Sequence, residues 1–325
     1  MPVEQRTRTT ISSFQGDFEQ LARVMQCAWG KNKEQSLLYT EPFLRSAFEY
    51  PGSSFDLAPS IYKANELLAF VAGFPRSVCI NGDNVRLLLN SFLTASADSS
   101  GAGYGLRVWQ ELINRARAHK FDGTINFCVE GDAMNTMMPG LARLLQLNTR
   151  RIYRVEFLSR FLRPVRGEFT SDESSDEIEI FRELSRSLAC QIPLARTWTY
   201  EEVLWQCRLR SGAITARVED AGRRGMITGY IMPVAANVPT RVALVEDVLW
   251  GNLDPAEQNE LLIRFLRSAA LQGAQTISCP VLGYASMEPF LAAGFQPSRR
   301  VLHAYLTLWN GLEPHPVSAA YIDVL

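Results

Sequence analysis

The sequence predicts an α/β (α+β mixed sheet) protein made of two tandem units, each a mixed, mostly antiparallel sheet flanked by helices. The chain has 325 residues, which is long for one domain of ordinary size. Hydrophobic residues make up 47% of it and charged residues 21%, a composition that supports a full core. The order strand, helix, strand, helix, strand also occurs twice along the chain, which indicates an internal repeat.

The first half begins with elements that precede this repeat. An alternating stretch, "TRTTISSF", predicts a strand, and the apolar spacing over residues 17–30 and 35–50 predicts two helices. A hairpin follows, because the turn sequences "KANE" and "NGDN" separate apolar runs. These elements lead into the repeated part of the first half.

The repeated part has the same five elements in each half. Strands "VRLLLNSFLTA" and "RVALVEDVLW" come first, and a second short strand begins at Thr124 and Thr276, an offset of 152 residues. A short helix and a long alternating strand follow, the latter starting at an Arg-Arg pair, Arg150-Arg151 or Arg299-Arg300. Between the first two strands lies an amphipathic helix, whose apolar face consists of Leu106, Trp109, Leu112, Ile113 and Ala116 in one half and Leu261, Leu262, Phe265, Leu266 and Ala269 in the other.

Composition marks a boundary between the halves. The stretch "RPVRGEFTSDESSDE" is rich in acids, Ser, Gly and Pro and lacks apolar periodicity, as linkers do. We therefore predict an N-terminal unit over residues 1–162, an acidic linker over 163–177, a C-terminal unit over 178–312 and a C-terminal tail over 313–325.

The charge balance and the rare metal-binding residue types narrow the function. The net charge is −1, which favours neither nucleic acid nor an anionic membrane, so we expect a small-molecule partner. The start of the chain has no apolar signal segment, which predicts a cytoplasmic protein. Six isolated cysteines and three histidines form no metal motif, and Cys128 is expected to be a buried core thiol and not a nucleophile.

The stretch "SADSSGAGYG" joins a predicted strand to a predicted helix. Backbone N–H groups and the dipole of a helix N-terminus bind anions, and glycines let a phosphate come close. A dinucleotide-binding fingerprint fits less well, since Leu106 stands where its third glycine belongs, although Glu130 after the next strand favours it. A P-loop lacks its Gly-Lys-Ser/Thr, and a purely structural glycine turn stays open.

The longer segment "FLTASADSSGAGYGLRVWQEL" resembles the core motif of the GNAT superfamily of acyl-CoA-dependent N-acyltransferases. Gly103 and Gly105 match the family's Gly-x-Gly, while Ser100 replaces its basic or amide residue. "YTEPFLRSAFEYP" and "NELLAFVAGF" are similar to the second-helix and hairpin regions of that family. The resemblance covers nearly the whole chain and implies two tandem acyl-CoA N-acyltransferase-like units.

The resemblance implies a site in the N-terminal unit. Acetyl-CoA or another acyl-CoA would be held by the loop and by the strand before it, through Leu93, Thr94, Ala95, Ser100, Gly101, Ala102, Gly103, Tyr104, Gly105 and Asn135. Candidates for taking the proton from the amine are Glu130, Asn90 and Ser91, and candidates for holding the acceptor are Trp29, Tyr39 and Glu41. The tyrosine that often protonates the leaving thiolate is replaced by Ala142 and Phe290. No metal is implied.

The second half lacks the glycine loop. Its sequence "LWGNLDPAEQNELL" predicts that Asp254 caps the helix, with Pro255 at the first helical position and Glu257 completing a capping box. A diphosphate should then be excluded, so the C-terminal unit is expected to be a degenerate copy. Glu246 and Asp247 are expected to lie at a solvated strand edge, with a general base as the alternative.

The sequence therefore favours an N-acyltransferase, with N-acetyl transfer as the first expectation, that moves an acyl group from acyl-CoA to the amine of a small molecule. A non-catalytic CoA-binding or interaction protein of the same fold is the alternative. Use of aminoacyl-tRNA as donor is disfavoured, because the chain has no basic arm.

Overall fold

The computed structural model describes residues 9–29, 36–96, 102–167, 176–220, 222–235, 239–309 and 311–324. The elements of the first half are β1 (Thr9–Ser13), α1 (Phe18–Trp29), β2 (Ser36–Leu37), α2 (Glu41–Phe48), β3 (Pro59–Lys63), β4 (Glu66–Ile80), β5 (Asp83–Ala95), α3 (Tyr104–Ala118), β6 (Gly123–Val129), α4 (Ala133–Leu144) and β7 (Asn148–Phe161).

The second half carries the matching elements after an additional segment. The additional segment consists of α5 (Glu177–Ala189), β8 (Leu194–Thr197) and α6 (Tyr200–Leu204), which runs into a π-helical turn (Trp205–Leu209). Then come β9 (Ala213–Asp220), β10 (Arg223–Ala235), β11 (Thr240–Leu249), α7 (Pro255–Leu271), β12 (Thr276–Val281), α8 (Glu288–Ala292), β13 (Gln296–Leu308) and β14 (Ala320–Tyr321). The repeated order that the sequence predicts is confirmed.

The predicted apolar helix faces and hairpin turns are also confirmed. The named apolar residues of α7 are buried, as are Trp109, Leu112, Ile113 and Ala116 of α3. The helix predicted over residues 35–50 is shorter than expected, because Thr40 caps its start by accepting a hydrogen bond from the N–H of Phe43, and Pro42 occupies its first turn. Residues 36–37 instead form β2, which pairs with β10.

Strands of the described residues join into one mixed sheet. Its main path runs β1-β3-β4-β5-β6-β13-β7-β12-β11-β10-β2, with β9 on β10 and β8 joining β4 to β14. The pairs β5–β6, β11–β12 and β8–β14 are parallel and the others are antiparallel. The predicted fold class, a mixed and mostly antiparallel sheet flanked by helices, is therefore confirmed.

The last long strands of the two halves are exchanged. β13, from the second half, lies between β6 and β7 of the first half, and β7 in turn pairs with β12 of the second half. Each half thus completes its sheet with a strand from the other. The unit boundaries remain a prediction from the sequence, whereas the sheet itself is shared by the two halves.

Helices cover both faces of the first-half sheet. Leu87 and Leu89 of β5 belong to the core beneath α1 and α2, whereas Leu88 between them packs against α3. We call these two sides the α1/α2 face and the α3/α4 face. Of the helices in the described residues, none is both long and apolar enough to cross a membrane. Those residues also hold no cluster of three or more His, Cys, Asp or Glu side chains placed to bind a metal.

Candidate functional site

Strands β5 and β6 separate part-way along their length. Their pairing begins at Leu87 opposite Gly123 and ends at Asn90 opposite Asn126. Ser91, Thr94 and Ala95 stay paired with β4, and residues 127–129 stay paired with β13, but within the described chain residues 91–95 and 127–129 do not pair with each other. We call this opening the β5–β6 cleft. Its two inner backbone edges are free to pair with an extended ligand.

An asparagine pair closes the narrow end of the β5–β6 cleft. The Nδ2 of Asn90 donates a hydrogen bond to the Oδ1 of Asn126 over 2.7 Å. The other two amide atoms, Asn90 Oδ1 and Asn126 Nδ2, are buried and have no hydrogen-bond partner among the described residues. Because unsatisfied buried polar groups are costly, one free acceptor and one free donor at this position point to a missing partner.

A β-bulge lies in the wall of the cleft. Thr94 pairs with Phe70 and Ser91 with Ala72, so Phe92 and Leu93 together oppose the single residue Val71. Phe92 has a φ of 62°, which is unusual for a bulky residue. A bulge leaves backbone groups outside the ladder, so peptide groups here are available to a bound molecule.

The N-terminus of α3 lies directly beyond the cleft. Its N-cap, Gly103, has a φ of 67° and a ψ of 18°, a left-handed conformation that glycine adopts without strain. Among the described residues no side chain caps this helix, and its first turn contains no acid. A Cβ added at Gly103 or Gly105 would meet no described atom within 4 Å. The predicted binding residues Ser100 and Gly101 lie outside the described residues, whereas Ala102, Gly103, Tyr104 and Gly105 form this helix end.

Crystal structures of N-myristoyltransferase from Saccharomyces cerevisiae share this architecture. One, with bound myristoyl-CoA, matches 97% of this chain and 85% of its own at a TM-score of 0.72 and 13% identity. Another, with bound myristoyl-CoA and inhibitors, matches 97% and 82% at 0.72 and 13%. A third, with bound myristoyl-CoA, matches 100% and 84% at 0.71 and 13%. Neither a family model nor a curated protein matches the sequence.

The chain has the tandem GNAT-like fold. Within that fold, the β5–β6 cleft and the N-terminus of α3 belong to the first half, and the second half carries a corresponding pair of features. The two halves differ in whether the cleft and the helix N-terminus are left free for a ligand.

The second half caps its corresponding helix with its own side chains. In α7, Asp254 accepts hydrogen bonds from the N–H groups of Ala256 and Glu257, and Glu257 accepts one from the N–H of Asp254. Pro255 occupies the first helical position, and Arg223 lies 2.8 Å from Asp254 and 3.0 Å from Glu257. The predicted capping box is confirmed. These carboxylates take the position that an anion would need.

The opening between β11 and β12 is filled from within the chain. These strands pair only from Val242 opposite Thr276 to Leu244 opposite Ser278. Further along β11, the N–H of Val248 donates to the Oη of Tyr284 over 3.1 Å. The Tyr284 ring packs against Tyr321 with 5.1 Å between ring centroids. In the described part of the second half, side chains of the same chain therefore bind the helix N-terminus and a backbone N–H of β11. The corresponding groups of the first half have no such described partner.

The prediction that Glu246 and Asp247 lie at a solvated strand edge is wrong, since they are only 4% and 3% exposed. The π-helical turn after α6, which the sequence does not predict, covers them. Gln206 on that turn donates to both carboxylates, Arg210 lies 2.6 Å from Glu246, and the Thr228 hydroxyl donates to Asp247. Burial is the main cause that raises the pKa of Asp247 to about 6.

The predicted proton acceptors lie around the β5–β6 cleft. Asn90 is the last residue of β5 that pairs with β6, and Ser91 is the first that does not. Glu130 follows β6, is half-exposed, and has its carboxylate 3.6 Å from both the Arg154 guanidinium and the His303 Nε2. Cys128 is buried, as predicted, and burial raises the pKa of its thiol to about 12, so it stays protonated.

The other predicted residues divide between the cleft and its surroundings. Leu93, Thr94 and Ala95 line the wall of the cleft. Asn135 on α4 already accepts a hydrogen bond from the Tyr305 hydroxyl over 2.9 Å. On the α1/α2 face, Tyr39 contacts Phe92 with 6.5 Å between ring centroids, and burial raises the pKa of Tyr39 to about 12.

Two of the residues predicted to hold the amine substrate lie further from the cleft. Trp29 ends α1 and packs against the core of the α1/α2 face. Glu41 is partly exposed at the start of α2 and pairs with Arg45 at 2.5 Å. Two further residues were not predicted, namely Phe92 in the bulge and Arg300 on β13, which interacts electrostatically with Tyr39. For Arg300 the repeated Arg-Arg pair was a sequence signal, whereas a bulge leaves no trace in apolar periodicity.

Proposed function

We propose that the protein is an acyl-CoA-dependent N-acyltransferase whose chemistry takes place in the first half. The observation that carries the proposal is the free β5–β6 cleft running to the uncapped N-terminus of α3. It is supported by the likeness in fold to N-myristoyltransferase with bound myristoyl-CoA. The filled cleft and the capped helix of the second half argue for one acyl-CoA per chain.

Each part of the site suits one part of an acyl-CoA. The diphosphate would lie at the N-terminus of α3, on the N–H groups near Ala102 to Gly105, with Ser100 and Gly101 before them. Pantetheine contains amide groups, which would pair with the free backbone edge of Leu93, Thr94 and Ala95. Its amides can also satisfy the unpartnered amide atoms of Asn90 and Asn126 or reach Asn135 on α4.

The bulge suits the reacting carbonyl. A peptide N–H of Phe92 or Leu93 would stabilise the oxyanion that forms when the amine attacks the thioester. The attacking amine must first lose a proton, for which Glu130, or water held by Asn90 and Ser91, is the proposed acceptor. Ala142 and Phe290 offer no hydroxyl, so the thiolate would leave without a tyrosine acid.

The acceptor is an amine that approaches from the α1/α2 face, where Tyr39 packs on Phe92. The sequence favours a small molecule, held by Tyr39, Trp29 and Glu41. The acyl group is expected to be acetyl, and the structures with a similar fold contain myristoyl-CoA, so both donors belong in the test. An acceptor screen should therefore contain peptides with free N-termini as well as small amines.

The direct test measures release of free CoA thiol from acetyl-, octanoyl- and myristoyl-CoA in the presence of these amines. We expect amine-dependent thiol release with at least one donor, and Glu130→Gln should lower kcat without weakening acyl-CoA binding. Tight acyl-CoA binding with no thiol release on any amine would favour the non-catalytic alternative. Absence of acyl-CoA binding would contradict both functions.

A further inference from the structure

Arg300 is a cation without an acidic partner in the described chain. It lies on β13, is partly exposed, and its guanidinium is 5.0 Å from the centroid of the Phe157 ring. No described carboxylate lies within ion-pair distance of it, although its neighbourhood is largely shielded from water. Burial lowers the pKa of Arg300, as expected for a cation that has lost hydration without gaining a counter-ion.

The acids nearest to this region already bind other arginines. Tyr230 faces Arg300 on one side and stacks with Arg210 on the other, with 3.3 Å from the Arg210 guanidinium to the ring centroid. Arg210 in turn holds Glu246. Asp323 lies 2.5 Å from Arg76 and 2.9 Å from Arg196. No acid of this network is left over for Arg300.

Arg300 lies close to the proposed site of acyl transfer. It interacts electrostatically with Tyr39 and Tyr230, the two titratable groups that face it, and burial keeps both phenols neutral by raising their pKa values. Tyr39 also contacts Phe92 in the bulge. Tyr39 therefore links Arg300 to Phe92, the residue whose backbone is proposed to meet the thioester.

The chemistry of the guanidinium indicates what it would bind. Its planar fork of N–H donors matches the two oxygens of a carboxylate, and charged hydrogen bonds are stronger where water is partly excluded. Phe157 holds one side of the group, which leaves its edge for a ligand. A neutral amine carries no negative charge and so cannot serve as the counter-ion that Arg300 lacks.

We propose that Arg300 binds the carboxylate of an amino-acid-like acceptor and so directs its amine toward the bulge at Phe92. This inference rests on the proposed function and narrows it to acceptors that carry an acid as well as an amine. It also gives the second half a part in the site, because β13 comes from that half.

The test compares ligands that differ only in the acid. The probes are the common amino acids, their carboxamides, and glycyl dipeptides ending in a carboxylate or an amide. Calorimetry would measure their binding to the CoA-saturated parent, Arg300→Met, Arg300→Lys and the control Arg299→Met, which changes the exposed neighbour on the same strand.

We expect the parent to prefer at least one carboxylate over its amide by about 10- to 100-fold. Arg300→Met should lose that preference, Arg300→Lys should keep part of it, and Arg299→Met should keep all of it.

Two results would overturn the inference. One is a parent that binds carboxylates and amides equally or binds neither, and the other is Arg300→Met retaining the preference. Binding of acyl-CoA, measured in the same variants, separates this from the proposed function. If the parent binds acyl-CoA but shows no carboxylate preference, or if Arg300→Met keeps that preference, only the role of Arg300 is refuted. Lack of acyl-CoA binding by the parent refutes the proposed function.

Discussion

Single residues decide which of the two openings in the sheet is free for a ligand. Gly103 begins α3 without a capping side chain, whereas Asp254 begins α7 and binds the first N–H groups of that helix. Tyr284 accepts the N–H of Val248 in the second opening, where the first has only the Asn90–Asn126 pair at its end. The two halves share a backbone plan and differ in a few side chains that take the place of a ligand.

Asp247 gives a prediction at this scale. Its pKa in the folded chain, about 6, lies above the ordinary 3.8, so the folded state holds more protons between these pH values. The contribution of Asp247 to stability is therefore fully present below about pH 4 and is lost as the pH rises through 6. Asp247→Asn removes this dependence, while its amide oxygen can still accept the Thr228 hydrogen bond.

We expect Asp247→Asn to gain stability relative to the parent as the pH rises from 4 to 6, by about 1 to 3 kcal/mol, and to gain no more above that. Urea unfolding of both chains at pH 4, 5, 6 and 7 measures the difference. A difference that stays constant with pH, or that grows as the pH falls, would show that Asp247 is not a carboxyl with a raised pKa.

At the scale of elements, the N-termini of α3 and α7 differ in how their backbone N–H groups are satisfied. Both helices bury an apolar face against the sheet, so both are held by packing along their length. The capping box of α7 stabilises its own N-terminus, whereas the N-terminus of α3 gives up this stabilisation and keeps its N–H groups available. The proposed binding at α3 and the capping at α7 would be alternative uses of the same helix position.

Replacing the cap of α7 should therefore change stability and leave binding alone. We expect Asp254→Ala to lower the free energy of unfolding by about 1 kcal/mol, because it removes two hydrogen bonds to backbone N–H groups. Glu257→Gln keeps an oxygen acceptor for the N–H of Asp254 and should cost less. Urea unfolding measures the losses, and acyl-CoA titration should still give one site per chain. A second acyl-CoA site in Asp254→Ala would mean that the second half is only masked.

At the scale of the whole molecule, strand exchange makes the halves one body. β13 pairs with the edge of β6 that faces away from the β5–β6 cleft, and it places His303 beside Glu130 and the Tyr305 hydroxyl on Asn135. β7 does the converse by completing the sheet of the second half. If acyl transfer takes place in the first half as proposed, the second half supports that site through β13.

Sequence patterns predict the elements of this fold but not all of the contacts between them. Periodicity and capping rules predict α3, α7 and the repeated strands, because these depend on local spacing. They do not predict the exchange of β7 and β13, since both strands contain an Arg-Arg pair and a similar alternation, so that either strand could join either sheet. Glu246 and Asp247 are misplaced for a related reason, because the turn that buries them is too short to leave a periodic signal.

The most direct test of the central claim is a calorimetric titration with acetyl-CoA and myristoyl-CoA of the parent, Gly103→Asp and Gly103→Asn. Both side chains have space at this position and tolerate its left-handed backbone, so the pair differs mainly in charge. We expect one site per chain in the parent, at least a tenfold weaker affinity in Gly103→Asp, and a smaller loss in Gly103→Asn. No binding by the parent, or equal binding by all three chains, would contradict an acyl-CoA site at the N-terminus of α3.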